Sequence, residues 1–193
     1  MIKLPRRIRE IIRNNFMRSQ ESQQNNLVIE KEQKYVETRH KVEAITDKLG
    51  EGVDEGIKET VTALLANGLS TSQSCEGHIG GRGEGYPWVE ICVPEPNGWE
   101  EDEKKQEEWK TENLKQQKRV VDIFSEFYRE RNTPFDARLN FRYIGAFGEF
   151  RIQSIGSETI VLVSPDEQKQ KLEEYRKEMA DFTEFLKNRF LEK

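Results

Sequence analysis

The last thirty residues or so constrain the fold more than any other stretch. Ser164-Pro165-Asp166-Glu167 sets a capping hydroxyl, a proline for the first turn and a glutamate three residues after the serine. That combination is a capping box, and it starts a helix. Leu172, Tyr175, Met179, Phe182, Leu186 and Phe190 then recur at three- and four-residue intervals, which puts them on one face. A stripe this long has to be buried, so the rest of the chain must supply an apolar surface to receive it.

Strands are the natural source of that surface. Ala137, Leu139, Phe141 and Tyr143 alternate with polar residues, as do Phe150 and Ile152, and Gly145 to Gly148 suits a hairpin between them. Thr159 to Val163 reads as a third short strand. Upstream, Trp88 to Val93 alternates, with Val89, Ile91 and Val93 on one face and Cys92 on the other. Leu69 to Cys75 reads as an extended segment rich in Ser and Thr.

Helices fill the remainder. Val28, Tyr35, Val42 and Leu49 repeat every seven residues with Ile45 between the last two, a narrow seam ending near Gly50 that leaves His40 to solvent. Asp54 is placed to cap a second helix by accepting from its backbone N–H groups, with Ile57, Val61, Leu64 and Leu65 as the apolar face and Asn67-Gly68 as the stop. Trp99 to about Asn132 predicts a long helix, charged in its first half and anchored by Val120, Val121, Phe124, Phe127 and Tyr128. Its Glu100–Lys104 and Glu101–Lys105 pairs have the favourable order and contribute only ~0.2–0.5 kcal/mol each. Neighbouring strands near the end favour an α+β class over regular alternation. The expected architecture is a single domain over 27–193, with a small mixed or antiparallel sheet of about five strands packed with several helices. A basic helix and polar linker over 1–26 precede it.

Composition narrows the functions. Of 193 residues, 34% are apolar and 35% charged, so the core is modest, and a net charge of −5 argues against coating nucleic acid by charge alone. The local exception is the start, where Lys3, Arg6, Arg7, Arg9, Arg13 and Arg18 face one acid, Glu10, with Ile8, Ile11, Ile12 and Phe16 on another face. Such a helix can touch RNA, a membrane surface or a partner, or simply dock its isoleucines on the core. No stretch approaches the ~20 apolar residues of a membrane span, and the basic start lacks the apolar run of a secretory signal. Two cysteines, Cys75 and Cys92, make no disulfide framework, so a reduced, cytoplasmic setting is expected.

Chemistry concentrates between Ser70 and Gly85. Ser70-Thr71-Ser72-Gln73-Ser74-Cys75-Glu76-Gly77-His78 holds four hydroxyls, a thiol, a carboxylate and one of the two histidines. Gly77, Gly80, Gly81, Gly83 and Gly85 then let the backbone approach a ligand and present N–H groups to an anion. Neither the P-loop ending nor the dinucleotide fingerprint is present. Cys75 and His78, spaced Cys-x-x-His, offer two metal ligands, but a closed zinc site needs four, and Cys92, His40 and the carboxylates complete no evident set; no metal is expected. Cys75 is a candidate nucleophile activated by His78, or a small buried thiol beside a hydrogen-bonded ring. Glu76 and His78 are candidates for acid and base. The candidate catalytic residues are thus Cys75, Glu76 and His78, with Ser72, Ser74, Gly77, Arg82 and Asp54 as candidate ligand contacts.

Asp47-Lys48-Leu49-Gly50-Glu51-Gly52-Val53-Asp54-Glu55-Gly56-Ile57, a helix, then Leu69-Ser70-Thr71-Ser72-Gln73-Ser74-Cys75-Glu76-Gly77-His78 resembles the wybutosine-synthesising tRNA methyltransferase family. That family shows an Asp-Lys-Ser start, a Gly-x-Val-Asp-x-x-Ile helix opening and a Thr-x-Ser-Cys-Ser-Gly-Arg loop. The resemblance implies an α+β fold, S-adenosylmethionine as methyl donor and a modified guanosine in tRNA as substrate. Leu49 and Glu76 stand where the family has Ser, and His78 stands where it has Arg; Arg82 is the candidate to supply that charge. The family's histidine on the following strand has no counterpart near Val89–Val93. The Ser-Cys-Glu-Gly-His variant also resembles a signature of uncharacterised bacterial and phage proteins.

Three functions follow as expectations. One is a nucleotide- or RNA-directed enzyme of methyltransferase type, with the basic start holding tRNA phosphates. The second is a non-catalytic module binding a small molecule or nucleotide. The third is a structural or interaction protein carried by its charged helices.

Overall fold

The computed structural model describes residues 26–46, 50–80 and 85–192. The basic segment 1–25, Leu49 and Arg82 lie outside the described residues. Helix α1 runs over 26–43, α2 is Glu55–Ala66, β1 Thr71–Cys75, β2 Trp88–Ile91 and α3 Glu103–Phe127. A 3-10 turn at Phe135–Ala137 leads into β3, Leu139–Tyr143, then β4, Phe150–Ser154, a 3-10 helix at Ile155–Leu162, and α4, Pro165–Glu192.

The sheet is antiparallel throughout, in the order β1-β2-β4-β3. Its register sets Val89 opposite Ile152 and Ile91 opposite Phe150, and all four are fully buried. With Leu139 they form one core against Ile57, Val61 and Leu64 of α2, Val120, Ile123 and Phe127 of α3, and Met179, Phe182 and Leu186 of α4. α2, α3 and α4 therefore share one face of the sheet, and Tyr35 and Val42 of α1 join the same core. Alternation sends Trp88, Glu90, Arg151 and Gln153 to the other face, where the Arg151 guanidinium lies 3.7 Å over the Trp88 ring. A second, smaller cluster there joins Cys75, Tyr86 and Trp88 to Ala137, Ile160 and Tyr175.

α4 starts where its capping box predicts, with Ser164 Oγ accepting from Glu167 N at 3.3 Å. Leu172, Tyr175, Met179, Phe182 and Leu186 are buried along it, and Phe190 is half-buried near its end. α2 is followed by its C-cap Asn67, and then by Gly68 at φ +76°, the left-handed geometry that glycine adopts without a Cβ penalty. The β3–β4 hairpin closes through Gly145 and Gly148, both at positive φ.

The structure departs from expectation in several places. Among the described residues there are four strands, because residues 155–162 coil into 3-10 turns. This segment leaves β4, an inner strand, without a turn that could bring it back to a free edge. Ile160 is buried, whereas Val161 and Leu162 stay exposed. α3 begins at Glu103, capped by Asp102 Oδ1 accepting from Lys104 N and Lys105 N. Glu100 and Glu101 thus precede the helix; Lys104 meets Glu108, and Lys105 meets Asp102. The charged half of α3 is also anchored, since Trp109 is buried and stacks on Phe147, while Val121 faces solvent. On α1, Tyr35 and Val42 are buried, but Val28 and Ile45 are exposed, because the helix ends before Ile45 and meets the core along one short contact.

Candidate functional site

β1 delivers the thiol and then turns sharply. Cys75 is the last residue of the strand, paired with Trp88, and its side chain is buried in the smaller cluster. Gly77 follows at φ +83° and donates its N–H to Cys75 Sγ at 3.4 Å. A Cβ at Gly77 would stand 2.6 Å from the Tyr86 carbonyl carbon and 2.8 Å from Leu172 Cδ1. Both backbone angle and space therefore demand glycine here. The turn brings His78 back towards α2, where its Nε2 lies 3.4 Å from Asp54 Oδ2.

Asp54 holds the N-cap position of α2 but makes no cap hydrogen bond. The expected cap is supplied by Glu76 instead, whose Oε2 accepts from Gly56 N at 2.6 Å. Asp54 is turned away, and its Oδ2 accepts from Glu76 N at 3.1 Å while facing His78. Two carboxylates are thus exchanged: the loop's glutamate serves the helix, and the helix's aspartate serves the loop. Negative charge still sits at the helix N-terminus, where the backbone dipole favours it.

Arg176, on α4, fixes the same loop from the other side. Its Nε donates to the Glu76 carbonyl at 3.1 Å and its Nη2 to the Gly77 carbonyl at 2.8 Å. Nothing in the sequence marked this arginine beyond its place beside the buried Tyr175, about a hundred residues from the loop.

Two clefts flank this corner. One, of about 790 Å³, lies between α2 and α4. Ile57, Pro87, Met179 and Ala180 give it apolar walls, and Glu59, Glu76, Glu184, Arg176 and Lys187 give it charges of both signs. Burial alone would raise the Glu59 carboxyl, but hydrogen bonds and charge from Tyr35, Lys187 and Arg39 hold it below the ordinary value. The other cleft, of about 560 Å³, is lined by Asp54, Val53, Thr71, Ser72, Ser74 and Trp88. Ser72 is exposed, and its hydroxyl donates to Glu90 Oε1 at 2.8 Å.

The predicted site residues are therefore brought together in part. Asp54, Cys75, Glu76, Gly77 and His78 form one contiguous corner. Ser72 and Ser74 open onto the cleft on the Asp54 side, and Glu76 onto the cleft on the α2–α4 side. Cys75 belongs to the buried smaller cluster, whereas the His78 and Asp54 side chains are 37% and 36% exposed at the corner. Cys92 lies apart at the far end of β2, with burial pushing its thiol up to about 11. No protein-family model, curated protein or solved structure matches the chain.

Proposed function

We propose that this chain is a nucleotide- or RNA-directed enzyme of methyltransferase type, using S-adenosylmethionine at the corner where Glu76 meets the start of α2. The observation that carries the reading is the α2–α4 cleft, about 790 Å³ with apolar walls and a rim of mixed charge opening at Glu76. Pockets for small ligands and cofactors have this size and make-up. S-adenosylmethionine combines an aromatic base, two cationic centres and a carboxylate. Ile57, Met179 and Ala180 would take the base, Glu76 and Glu184 the cationic centres, and Arg176 or Lys187 the carboxylate. When bound, the donor supplies a methyl group from its sulfonium to a nucleophilic atom of the nucleotide. Asp54 would fix the His78 ring at the edge of the site, and Ser72 and Ser74 would offer hydroxyls to the nucleotide. Lys3, Arg6, Arg9 and Arg13 would contact RNA phosphates, in a cytoplasmic setting.

Thermal unfolding with S-adenosylmethionine tests the reading. At ~100 times its dissociation constant, the donor should add roughly 2.7 kcal/mol of stability. RNA retention should fall steeply with salt if phosphate contacts contribute. Absence of any shift at millimolar donor removes the methyl donor from the account.

A second reading, a non-catalytic small-ligand or nucleotide-binding module, is favoured by one observation. Glu76 is committed through its carboxylate to Gly56 and through its carbonyl to Arg176. Under that reading a ligand shifts the unfolding curve, but radiolabelled methyl never transfers to RNA.

A further inference from the structure

We propose that Asp54, Cys75 and His78 form a three-ligand site for a divalent transition metal of zinc type, with one coordination position left to water or ligand. This goes beyond the donor reading: Asp54 and His78 stand at the edge of that site, but the α2–α4 cleft that carries the reading plays no part here. Among the described residues, these three bring one carboxylate oxygen, one thiol sulfur and one imidazole nitrogen within 4.8 Å of one another.

The spacing matches an ion better than a hydrogen bond. A charge-assisted N–H···O contact closes to about 2.7–2.9 Å, yet His78 Nε2 and Asp54 Oδ2 stand 3.4 Å apart. Two ligands at about 2.0–2.2 Å from a tetrahedral ion lie about 3.3–3.6 Å from each other. The two pairs made with the Cys75 sulfur each lie within 4.8 Å.

The surroundings are those of a prepared site. Cys75 and His78 are separated by a turn that Gly77 fixes through both its φ and its lack of a side chain, so the two ligands are held before any ion arrives. The Gly77 N–H points at Cys75 Sγ, which suits a thiolate. The Glu76 N–H does the same for Asp54 Oδ2. Such outer hydrogen bonds orient ligands and tune the metal. Arg176 braces the carbonyls of the same turn. The displaced cap also acquires a reason: Asp54 turns from the helix towards the thiol and imidazole, and Glu76 takes over its place.

Charge and donor type select the ion. One thiolate, one carboxylate and one neutral imidazole sum to −2, which a divalent cation neutralises in a half-buried setting. Mixed S, N and O donors suit zinc and its cobalt substitute, whereas magnesium and calcium take oxygen. Binding expels the Cys75 thiol proton to solvent, so uptake strengthens as pH rises. Three protein ligands and an open position are the arrangement of reactive zinc centres, where a bound water is acidified.

The test uses the full chain, reduced and stripped of metal, titrated with Co²⁺ and then Zn²⁺. Expected are one ion per chain, a thiolate-to-cobalt charge-transfer band, and its loss on adding zinc. C75S should abolish the band, and D54N and H78Q should each weaken zinc binding by more than about 100-fold, beyond the roughly 10–100-fold cost of outer-shell changes. C92S should leave binding unchanged. Circular dichroism of D54N, the most conservative variant, separates lost ligation from lost folding. A folded wild-type chain that gives no thiolate–cobalt band overturns the proposal, as does a band that survives C75S or vanishes with C92S. The donor titration is read on metal-free protein, so either result can fail alone.

Discussion

Glu76 caps α2 from twenty residues downstream, its carboxylate accepting the Gly56 N–H at 2.6 Å. Helix and loop are thereby one unit. E76A should destabilise the protein by about 1 kcal/mol, the ordinary cost of a lost N-cap, and E76Q by less, because the amide oxygen still accepts. Urea unfolding of both variants measures this. Equal losses for the two would mean that charge at the helix end, and not the hydrogen bond, carries the effect.

Two glycines of the same loop should respond very differently to alanine. Gly77 has φ +83°, and a Cβ there would meet backbone at 2.6 Å, whereas Gly80 has φ +73° with nothing within 4 Å. G80A should cost only the left-handed penalty, about 1–2 kcal/mol. G77A adds overpacking of about 1–3 kcal/mol to that. Comparison of denaturation midpoints decides it, and similar values for both would show that the turn can relax.

The buried carboxylate of Glu178 should dominate the ion pairs. It is 5% exposed and accepts from Tyr128 Oη and Arg131 Nη2, each at 2.9 Å. R131A leaves that charge short of its cation and should cost about 2–4 kcal/mol, slightly under the range for a fully buried pair because Arg131 is a third exposed. K118A, which removes an exposed pair with Asp122, should cost at most about 0.5 kcal/mol. Parallel unfolding curves give both numbers.

Acid should erase one contact near the site. The hydrogen bond and charge of Lys171 hold the Asp136 carboxyl below its ordinary value. A group lowered on folding stabilises above its unfolded value and loses that contribution as pH falls through the folded one. K171M should therefore be less stable than wild type at pH 7, by roughly 0.2–1 kcal/mol for so exposed a pair. The gap should close below about pH 4, where the unfolded carboxylate protonates. A gap that persists at low pH would assign the effect to packing of the lysine stem.

Local signals were readable wherever one segment contained its own instructions. The capping box before α4, the Asn67-Gly68 stop and the Gly145–Gly148 hairpin all act within a few residues, and each is where the pattern put it. Cys75, Glu76 and His78 stood out as a cluster because they are neighbours in sequence. The exchange of carboxylates between Asp54 and Glu76 was hidden, since either residue satisfies the composition of a cap and only the loop's return path chooses. Arg176 was hidden for a related reason: an arginine off the buried stripe of a charged helix looks like any solvated one. Residues 159–163 misled because Thr159, Ile160, Val161 and Val163 are strand formers by propensity, and propensity cannot say whether a free sheet edge is within reach.

β1 is an outer strand, joined to the sheet through β2 alone. The corner of Asp54, Cys75 and His78 consequently hangs from the margin of the sheet, while β2, β4 and β3 pair without it. Lengthening the connection between Cys75 and Trp88 would disturb no central pairing, and each doubling of a loop costs only about 0.6 kcal/mol. Descendants of such a chain can vary this corner and keep the same hydrophobic interior.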